Sequence, residues 1–281
     1  MKRFLKPLRV ILALGCFLSV NAAFLAPVVA EAFVLDAPDF SWAAKMQFLP
    51  ALLALNVAVV VAILVVTALV GRVYCSVVCP FGVLQDIAIR VRRLFTRRSV
   101  KRGFKAARPT GAAGLVAAAA AILVLCAFGA LALLAVCDPY SHYGRIATNL
   151  FRPAVLWVLN GVAAWGEAHE KYWLMPIEAA APAISAILLS ATTLVVIVAL
   201  ALWRGRWFCN NFCPVGACLR VASAKAPVRI RIDADKCKSC GMCERGCKAE
   251  AIDAKAKVVD SGRCVRCFNC LGACRLGAIK I

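Results

Sequence analysis

Long apolar stretches separated by short polar and basic segments dominate this chain. An α-helix needs roughly 20 apolar residues to cross the hydrocarbon core of a bilayer. Four stretches reach that length, and we predict a membrane-spanning helix in each: 8–30, 50–70, 111–136 and about 183–203. Between the third and fourth spans the pattern predicts a loop over 137–182, and beyond the fourth span the chain becomes polar.

An internal repeat supports this division into spans. Residues 71–82 read GRVYCSVVCPFG and residues 205–216 read GRWFCNNFCPVG, so both follow G-R-x-aromatic-C-x-x-x-C-P-x-G directly after an even-numbered span. Such a repeat indicates a duplicated two-helix unit with both copies in the same orientation. We therefore predict a membrane all-α bundle of four transmembrane helices, with the first unit over 1–110 and the second over 111–226.

Composition and charge indicate where in the cell the protein lies and how it is oriented. The 281 residues are 63% hydrophobic and 17% charged, which is too apolar for a soluble domain. Thirty of the 34 lysines and arginines lie before or at the very start of the first span, between the second and third, or after the fourth. Basic residues collect on the cytoplasmic side, so we predict a multi-pass protein of the bacterial inner membrane with both termini cytoplasmic. The net charge of +20 then reflects lipid contact and predicts no nucleic-acid partner.

The first span also has the features of a signal peptide. Lys2, Arg3, Lys6 and Arg9 precede or open an apolar run that could be cleaved near Ala30. We favour a retained helix, because the duplicated unit requires a partner for each span.

The polar C-terminal segment contains the strongest chemical motif. Eight of the 16 cysteines form two tandem C-x-x-C-x-x-C-x-x-x-C runs. In two-cluster bacterial ferredoxins with this spacing, the fourth cysteine of each run ligates the other cluster. We therefore predict a small α+β ferredoxin domain over 227–281, with short strands near 228–232 and 257–259 and two [4Fe–4S] clusters, the whole domain cytoplasmic. One cluster takes Cys237, Cys240, Cys243 and Cys274, and the other takes Cys264, Cys267, Cys270 and Cys247.

The repeated motifs offer a further candidate site. A twofold arrangement of the two units would bring together Cys75, Cys79, Cys209 and Cys213. Four thiolates are enough for a third iron–sulfur cluster or a zinc ion. Two dithiol/disulfide pairs are the main alternative, and cysteines that only pack are the other.

The distribution of histidines limits the other redox chemistry. The two histidines, His142 and His169, both lie in the predicted loop, which the orientation places on the extracytoplasmic side, and this excludes a bis-histidine haem in the bundle. No G-x-G-x-x-G follows a strand, so no nucleotide fold is visible. Quinol is then the natural diffusible carrier, and after the third span Asp138 and His142 are candidate proton acceptors. Tyr140 and Arg145 would hold the quinone. The alternative is a turn in which Asp138 ends a helix and His142 is solvated.

Four spans, two C-x-x-x-C-P motifs and a terminal two-cluster ferredoxin make the chain resemble the NapH-type membrane ferredoxin family. That family is similar to the MauN, NosR and CcoG proteins. The resemblance implies oxidation of menaquinol or ubiquinol and electron transfer toward a periplasmic iron–sulfur protein or multihaem cytochrome and a terminal reductase. Lys248 and Arg275 depart from the proline that usually follows each fourth cysteine. This predicts a less rigid loop and a somewhat raised potential.

Two other functions remain open at this stage. A MauN- or CcoG-like role would make the protein an assembly factor that supplies electrons to a metal centre under construction. A membrane-anchored redox sensor is the third alternative. The quinol dehydrogenase component is the function that we favour.

Overall fold

The computed structural model describes residues 2–36, 38–95, 138–171, 173–178 and 180–281. The third predicted span, 111–136, lies outside these residues. The helices of the membrane part and its motifs are Lys2–Ala32, Ser41–Lys45, Phe48–Leu53, Val57–Val70, Tyr74–Val77, Pro80–Phe95, Pro139–Ile146, Arg152–Ala168, Ile184–Arg204, Trp207–Asn211 and Pro214–Ser223, with a π-helical segment at Ala147–Phe151.

Three helical segments of the described chain are long and apolar enough to cross a membrane. They are Phe4–Ala32, Pro139–Ala168 and Ile184–Arg204. The first and third agree with the predicted spans 8–30 and 183–203. Large apolar side chains such as Ile11, Leu18 and Val195 are exposed along them, which is the pattern expected of helices that face lipid.

The second predicted span is not one helix, so the prediction of a continuous helix over 50–70 is wrong. The chain breaks between Leu53 and Val57, where Leu55 adopts a positive φ of 52° and the Asn56 side chain caps the next helix. The helix Val57–Val70 has 14 residues and therefore a length of about 21 Å, short of the roughly 30 Å of a hydrocarbon core.

The prediction of a loop over 137–182 is also wrong for most of its length. The Asp138 carboxylate accepts a hydrogen bond from the Ser141 amide at 2.8 Å, and Pro139 occupies the first helical turn. Proline suits that position, since its missing N–H would have no helical partner there. The π-helical segment Ala147–Phe151 ends two residues before Pro153, and a proline ring in a regular α-helix would clash with the carbonyl four residues earlier.

This helix begins beside the first repeated motif, not on the opposite side of the bundle as the predicted loop required. The His142 ring stacks on Phe81 with a centroid distance of 5.9 Å, and Phe81 lies two residues after Cys79. At the far end of the same helix, Asn160 and Ile177 exchange hydrogen bonds of 3.0 Å. The predicted separation of His142 and Asp138 from the motifs is therefore wrong.

The C-terminal domain has the small α+β form that its cysteine spacing predicts. Its two antiparallel ladders pair Arg231–Ile232 with Ile279–Lys280 and Ile252–Asp253 with Val258–Val259. Short helices at Met242–Arg245 and Asn269–Ala273 follow the first cysteines of each run. The domain packs against the two repeated motifs, and the buried residues of both form one continuous core.

Candidate functional site

Both repeated motifs fold in the same way. A short helix contains the first cysteine, the second cysteine follows it, and the proline opens a new helix, at Pro80–Phe95 in one unit and Pro214–Ser223 in the other. The glycine before each arginine ends the preceding helix with a positive φ, 96° at Gly71 and 67° at Gly205. Such angles favour glycine, which explains its place in the pattern.

The arginine of the second motif reaches into the first. Arg206 is fully buried, and its guanidinium donates to the carbonyl oxygens of Cys75 and Gly82, the latter at 2.8 Å. Its Nε donates to the Asp86 carboxylate at 2.9 Å. A single side chain of the second unit therefore binds both ends of the first cysteine motif.

The arginine of the first motif reaches into the second in return. Arg72 is also fully buried, and it donates to the Cys209 carbonyl at 3.1 Å and the Asn210 side chain at 2.6 Å. It donates as well to the Gly262 carbonyl of the ferredoxin domain at 3.1 Å. Each motif is therefore bound by the arginine of the other motif, as expected of the twofold arrangement that the repeat predicts.

The final glycine of each motif permits a close approach of backbone to backbone. A Cβ on Gly82 would lie 2.3 Å from the Cys75 carbonyl oxygen, and one on Gly216 would lie 2.1 Å from that of Cys209. Real Cβ atoms do not come that close to another heavy atom. The P-x-G ending therefore folds each new helix tightly onto the cysteine turn before it.

The four thiols of the two motifs converge on one buried region. Burial raises the pKa of the Cys79 and Cys213 thiols, and the neighbouring thiols of the group raise it further. Burial also raises the pKa of Cys209, although the Arg206 guanidinium partly opposes this. The structure thus brings together Cys75, Cys79, Cys209 and Cys213, and four clustered thiols can become thiolates only if positive charge compensates them.

Positive charge is present beside these thiols in excess. The Arg72 guanidinium lies 3.9 Å from the Cys75 Sγ. Among the described residues, no carboxylate is within ion-pair distance of Arg72. A buried cation without an anionic partner is costly, so the surroundings fit an anionic group held on the four sulfurs. Among all the residues that the structure describes, no group of three or more His, Cys, Asp or Glu side chains is arranged closely enough to hold a metal ion.

The Asp86 carboxylate joins four parts of the molecule. It pairs with Arg9 of the first helix, Arg206 of the second motif and Lys248 of the ferredoxin domain, at 2.8 Å for Arg206. These cations hold the pKa of Asp86 well below its usual range, in spite of its burial. Lys248 itself is 3% exposed, and its carbonyl accepts from the Arg206 amide at 2.7 Å. Lys248 thus anchors the ferredoxin domain to the first unit, and the predicted loosening of the loop at this position stays a prediction.

The eight ferredoxin cysteines form two groups around two small cavities. One cavity is lined by Cys237, Cys240, Cys243 and Cys274. The other is lined by Cys247, Cys264, Cys267 and Cys270. Each group takes its fourth member from the other run, as the crossed ligation of a two-cluster ferredoxin requires. We call the first the outer group and the second the inner group; the assignment of individual ligands stays a prediction.

The candidate proton acceptors lie close to the four-thiol region. Asp138 is 2% exposed, and burial raises its pKa to about 6. It is near enough to Cys79 for the charges of the two groups to interact. The Nδ1 atom of His142 is buried and has no hydrogen-bond partner among the described residues. Tyr140 packs near Phe24 with ring centroids 6.2 Å apart.

Several residues of this site escaped the sequence analysis. Arg72 and Arg206 were visible as constant positions of the repeat, but their exchange between units was not. The sequence also marks Asp86 as unusual, because residues 71–110 contain ten basic residues and this one acidic residue. Gln85, whose Nε2 lies 3.4 Å from the Cys209 Sγ, had no signal beyond its neighbourhood.

A comparison with protein families identifies what the repeated segments are similar to. Residues 52–98 and 186–232 each match the model described as a 4Fe-4S binding domain. The two matched segments have the same offset as the two cysteine motifs. Together with the C-terminal runs, this match supports two [4Fe–4S] clusters as cofactors, as predicted. The chain is a membrane-associated iron–sulfur protein.

Individual relatives agree with this class. The Escherichia coli protein YccM, named for a proposed role in electron transport, is 33% identical over 90 residues, which are 32% of this chain and 24% of its own. An uncharacterized protein of Methanocaldococcus jannaschii is 35% identical over 74 residues, 26% of this chain and 29% of its own. These stretches span less than a third of either relative.

A second uncharacterized protein of Methanocaldococcus jannaschii matches at greater length. It is 24% identical over 225 residues, which are 80% of this chain and 77% of that protein. No solved structure matches the chain significantly.

Proposed function

We propose that this protein oxidises quinol at the membrane and passes the electrons through its iron–sulfur centres, as a NapH-type quinol dehydrogenase component does. One observation supports this proposal above the others. The predicted proton acceptors Asp138 and His142 lie beside the first cysteine motif, through Cys79 and Phe81. Quinol oxidation releases two electrons and two protons, so it requires both kinds of acceptor at one place.

The chain's own residues suit the proton part of this reaction. Asp138 has a pKa of about 6, so it is mostly unprotonated at neutral pH and close enough in acidity to receive a proton. The buried, unpartnered Nδ1 of His142 is a second acceptor, and the Phe81 ring fixes its orientation by stacking. Arg145 and Tyr140, on the same helix, would orient the carbonyl and the ring of the quinone.

The four thiols of the repeated motifs would hold a third iron–sulfur centre between this site and the ferredoxin domain. Bound there and in the two ferredoxin groups, such centres accept and release single electrons. The support is the convergence of four buried thiols and the charge of Arg72, which has no carboxylate partner among the described residues, beside them. Zinc or redox-active thiols are the alternatives that the measurement below distinguishes.

The remaining parts of the proposal concern orientation and partners. We propose that the ferredoxin domain faces the cytoplasm of a bacterial inner membrane, in keeping with the positive charge of its surroundings. The downstream partner would be a periplasmic iron–sulfur protein or multihaem cytochrome that serves a terminal reductase. A quinol site on the ferredoxin side would release its protons into the cytoplasm.

The decisive experiment asks whether quinol reduces the purified protein. In lipid nanodiscs, a reduced short-chain quinol should bleach the iron–sulfur absorbance and produce the signal of reduced clusters in electron paramagnetic resonance. Asp138→Asn should slow this reduction by about 100-fold or more and remove a dependence in which the rate rises with pH through about 6. Asparagine caps a helix as well as aspartate does, so the fold should be unchanged.

If dithionite reduces the wild-type protein but quinol does not, quinol oxidation is excluded. The assembly-factor function then gains support, because the centres would be reducible by another donor. A rate of Asp138→Asn equal to that of the wild type would remove this residue from the quinol site while leaving the electron-transfer function in place.

A metal analysis tests the third centre. Three [4Fe–4S] clusters contain about 12 iron atoms per chain, whereas two contain about eight. Cys213→Ser is the suitable variant, since the Cys213 Sγ accepts from the Gly216 amide at 3.2 Å and serine replaces it well as a helix cap. It should lower the iron content by about four atoms and leave the ferredoxin signals intact. About eight atoms in the wild type would indicate zinc or thiols instead.

A further inference from the structure

The two cysteine groups of the ferredoxin domain differ in their exposure to solvent. All four cysteines of the inner group are buried. In the outer group, Cys240 is exposed and Cys237 and Cys274 are partly exposed. An electron carrier in solution therefore comes closest to the outer group.

The inner group faces the membrane motifs. Arg266, which lies between two of its cysteines, donates to the Val70 carbonyl at 2.7 Å and has Nη1 4.0 Å from the Cys264 Sγ. Lys248, next to Cys247, pairs with Asp86. These contacts fix the inner group toward the four-thiol region and leave the Cys240 side of the domain away from it.

Exposed basic side chains surround the outer group. Lys236 and Lys238 flank Cys237, and Arg275 follows Cys274. The Arg245 guanidinium donates to the Cys240 carbonyl at 3.4 Å. We call these four residues the outer rim: Lys236, Lys238, Arg245 and Arg275, all exposed.

The acidic groups nearby do not neutralise the outer rim. Asp233 pairs with Lys280 at 2.7 Å. Two further carboxylates, Asp235 and Glu244, stand directly next to rim residues in the sequence, so the four basic side chains outnumber them by two. Leu276, 47% exposed, adds an apolar contact next to Arg275. A small apolar spot within a basic rim is a common design of weak redox interfaces, in which opposite charge steers the partner and little area is buried.

We propose that the outer rim docks a small soluble electron carrier with an acidic surface. One electron then passes between the carrier and the outer centre, one being oxidised as the other is reduced, and no bond or proton is exchanged. The inference rests on the proposed electron transfer through the ferredoxin domain, but not on quinol. It gives the protein an exchange point on its ferredoxin side in addition to any periplasmic partner.

The test uses the full chain in nanodiscs of zwitterionic lipid and a plant-type [2Fe–2S] ferredoxin, a strongly acidic protein, as the probe. Surface plasmon resonance should show binding at about 0.01 M ionic strength that weakens about tenfold at about 0.15 M, where the Debye length falls to about 8 Å. Cytochrome c, a basic protein of similar size, should not bind.

Two variants locate the binding surface. Lys236→Glu with Lys238→Glu should weaken ferredoxin binding about tenfold or more, and Arg275→Glu should weaken it in the same direction from the other run. The matched control is Lys225→Glu with Arg229→Glu, an equal change of charge at exposed positions next to the membrane motifs. Iron and sulfide content, measured on every sample, shows that the clusters are retained.

Three outcomes would overturn the proposal: no binding by the wild type, equal weakening by the control pair, or rim-dependent binding to anionic vesicles in place of ferredoxin. The last would make the outer rim a lipid contact. Quinol reduction is measured on the same samples. A protein that binds ferredoxin but ignores quinol would contradict the proposed function only, and the reverse would contradict this inference only.

Discussion

The two cysteine motifs share their backbone but differ in the charge that surrounds them. The guanidinium of Arg206, in the second unit, donates a hydrogen bond to the Asp86 carboxylate of the first unit. At the position in the second unit that corresponds to Asp86 stands Arg220, so Arg72 meets an amide and carbonyls instead. The duplication has thus produced one half that anchors neighbouring elements and one half that leaves positive charge beside the thiols.

The largest loss of stability is expected from a substitution in the anchoring half, at Asp86. Asp86→Asn leaves the cations of Arg9, Arg206 and Lys248 buried without their common anion, which is worth about 3–5 kcal/mol of stability for a broken buried pair. We expect a protein that unfolds at markedly lower temperature and loses iron. Thermal unfolding followed by cluster absorbance measures both.

The matched control is the acidic partner of Arg220. Asp260 is 32% exposed on its side chain and lies 3.3 Å from Arg220, so Asp260→Asn should cost no more than about 1 kcal/mol. Acid should show the same contrast. Because the folded pKa of Asp86 is depressed, its contribution is present above its unfolded pKa and is lost only as the pH falls through the lower folded value. Similar losses in both variants would contradict the division into two unlike halves.

The close backbone contact is the feature that the halves share, so it should respond alike in both. Gly82→Ala and Gly216→Ala each force a Cβ against a cysteine carbonyl at 2.3 and 2.1 Å, and overpacking of this kind costs about 1–3 kcal/mol. Gly161→Ala is the control, since no heavy atom lies within 4 Å of its Cβ position and alanine in a helix is favoured by about 0.5–1 kcal/mol. An effect at one motif glycine only would mean that the halves differ in backbone as well.

The sequence could predict features that depend on local patterns, but not those that depend on contacts between distant parts of the chain. The spacing of cysteines predicted both ferredoxin groups and the four-thiol convergence, because ligand spacing and internal repeats are local patterns. The side of the bundle on which Asp138 lies could not be predicted. It depends on a helix that starts at Pro139, and the same Asp-Pro pair also ends helices. The role of Asp86 was equally hidden, since its partners are 77, 120 and 162 positions away.

The broken second span has a similar explanation. The apolar run over 50–70 contains the signal of a helix start at Asn56, but hydropathy alone joins the two sides of it. In the second unit the corresponding stretch lies within the unbroken helix Ile184–Arg204. Duplication predicts equal local folds, but the break at Leu55 and Asn56 has no counterpart in the second unit and makes the two halves unequal.

The smallest expected effect lies in the direct surroundings of the sulfurs. Gln85 corresponds to Leu219 of the second unit, and its amide Nε2 lies 3.4 Å from the Cys209 Sγ. Gln85→Leu makes the two halves alike at this position. Hydrogen bonds to cluster sulfurs tune the reduction potential, and loss of a donor should lower it because the reduced, more negative state is stabilised less. A potentiometric titration of the proposed third centre measures the shift.

Gln47→Leu separates this tuning from a general loss of buried polarity. Gln47 and Gln85 are each 1% exposed, but the Gln47 amide faces the Tyr74 hydroxyl rather than a sulfur. Both variants should cost about 1–3 kcal/mol, since each leaves a former partner unsatisfied. Only Gln85→Leu should move the potential. An equal shift in both would show that the potential follows packing around the motifs, and the difference between the halves at Gln85 and Leu219 would then have no electronic consequence.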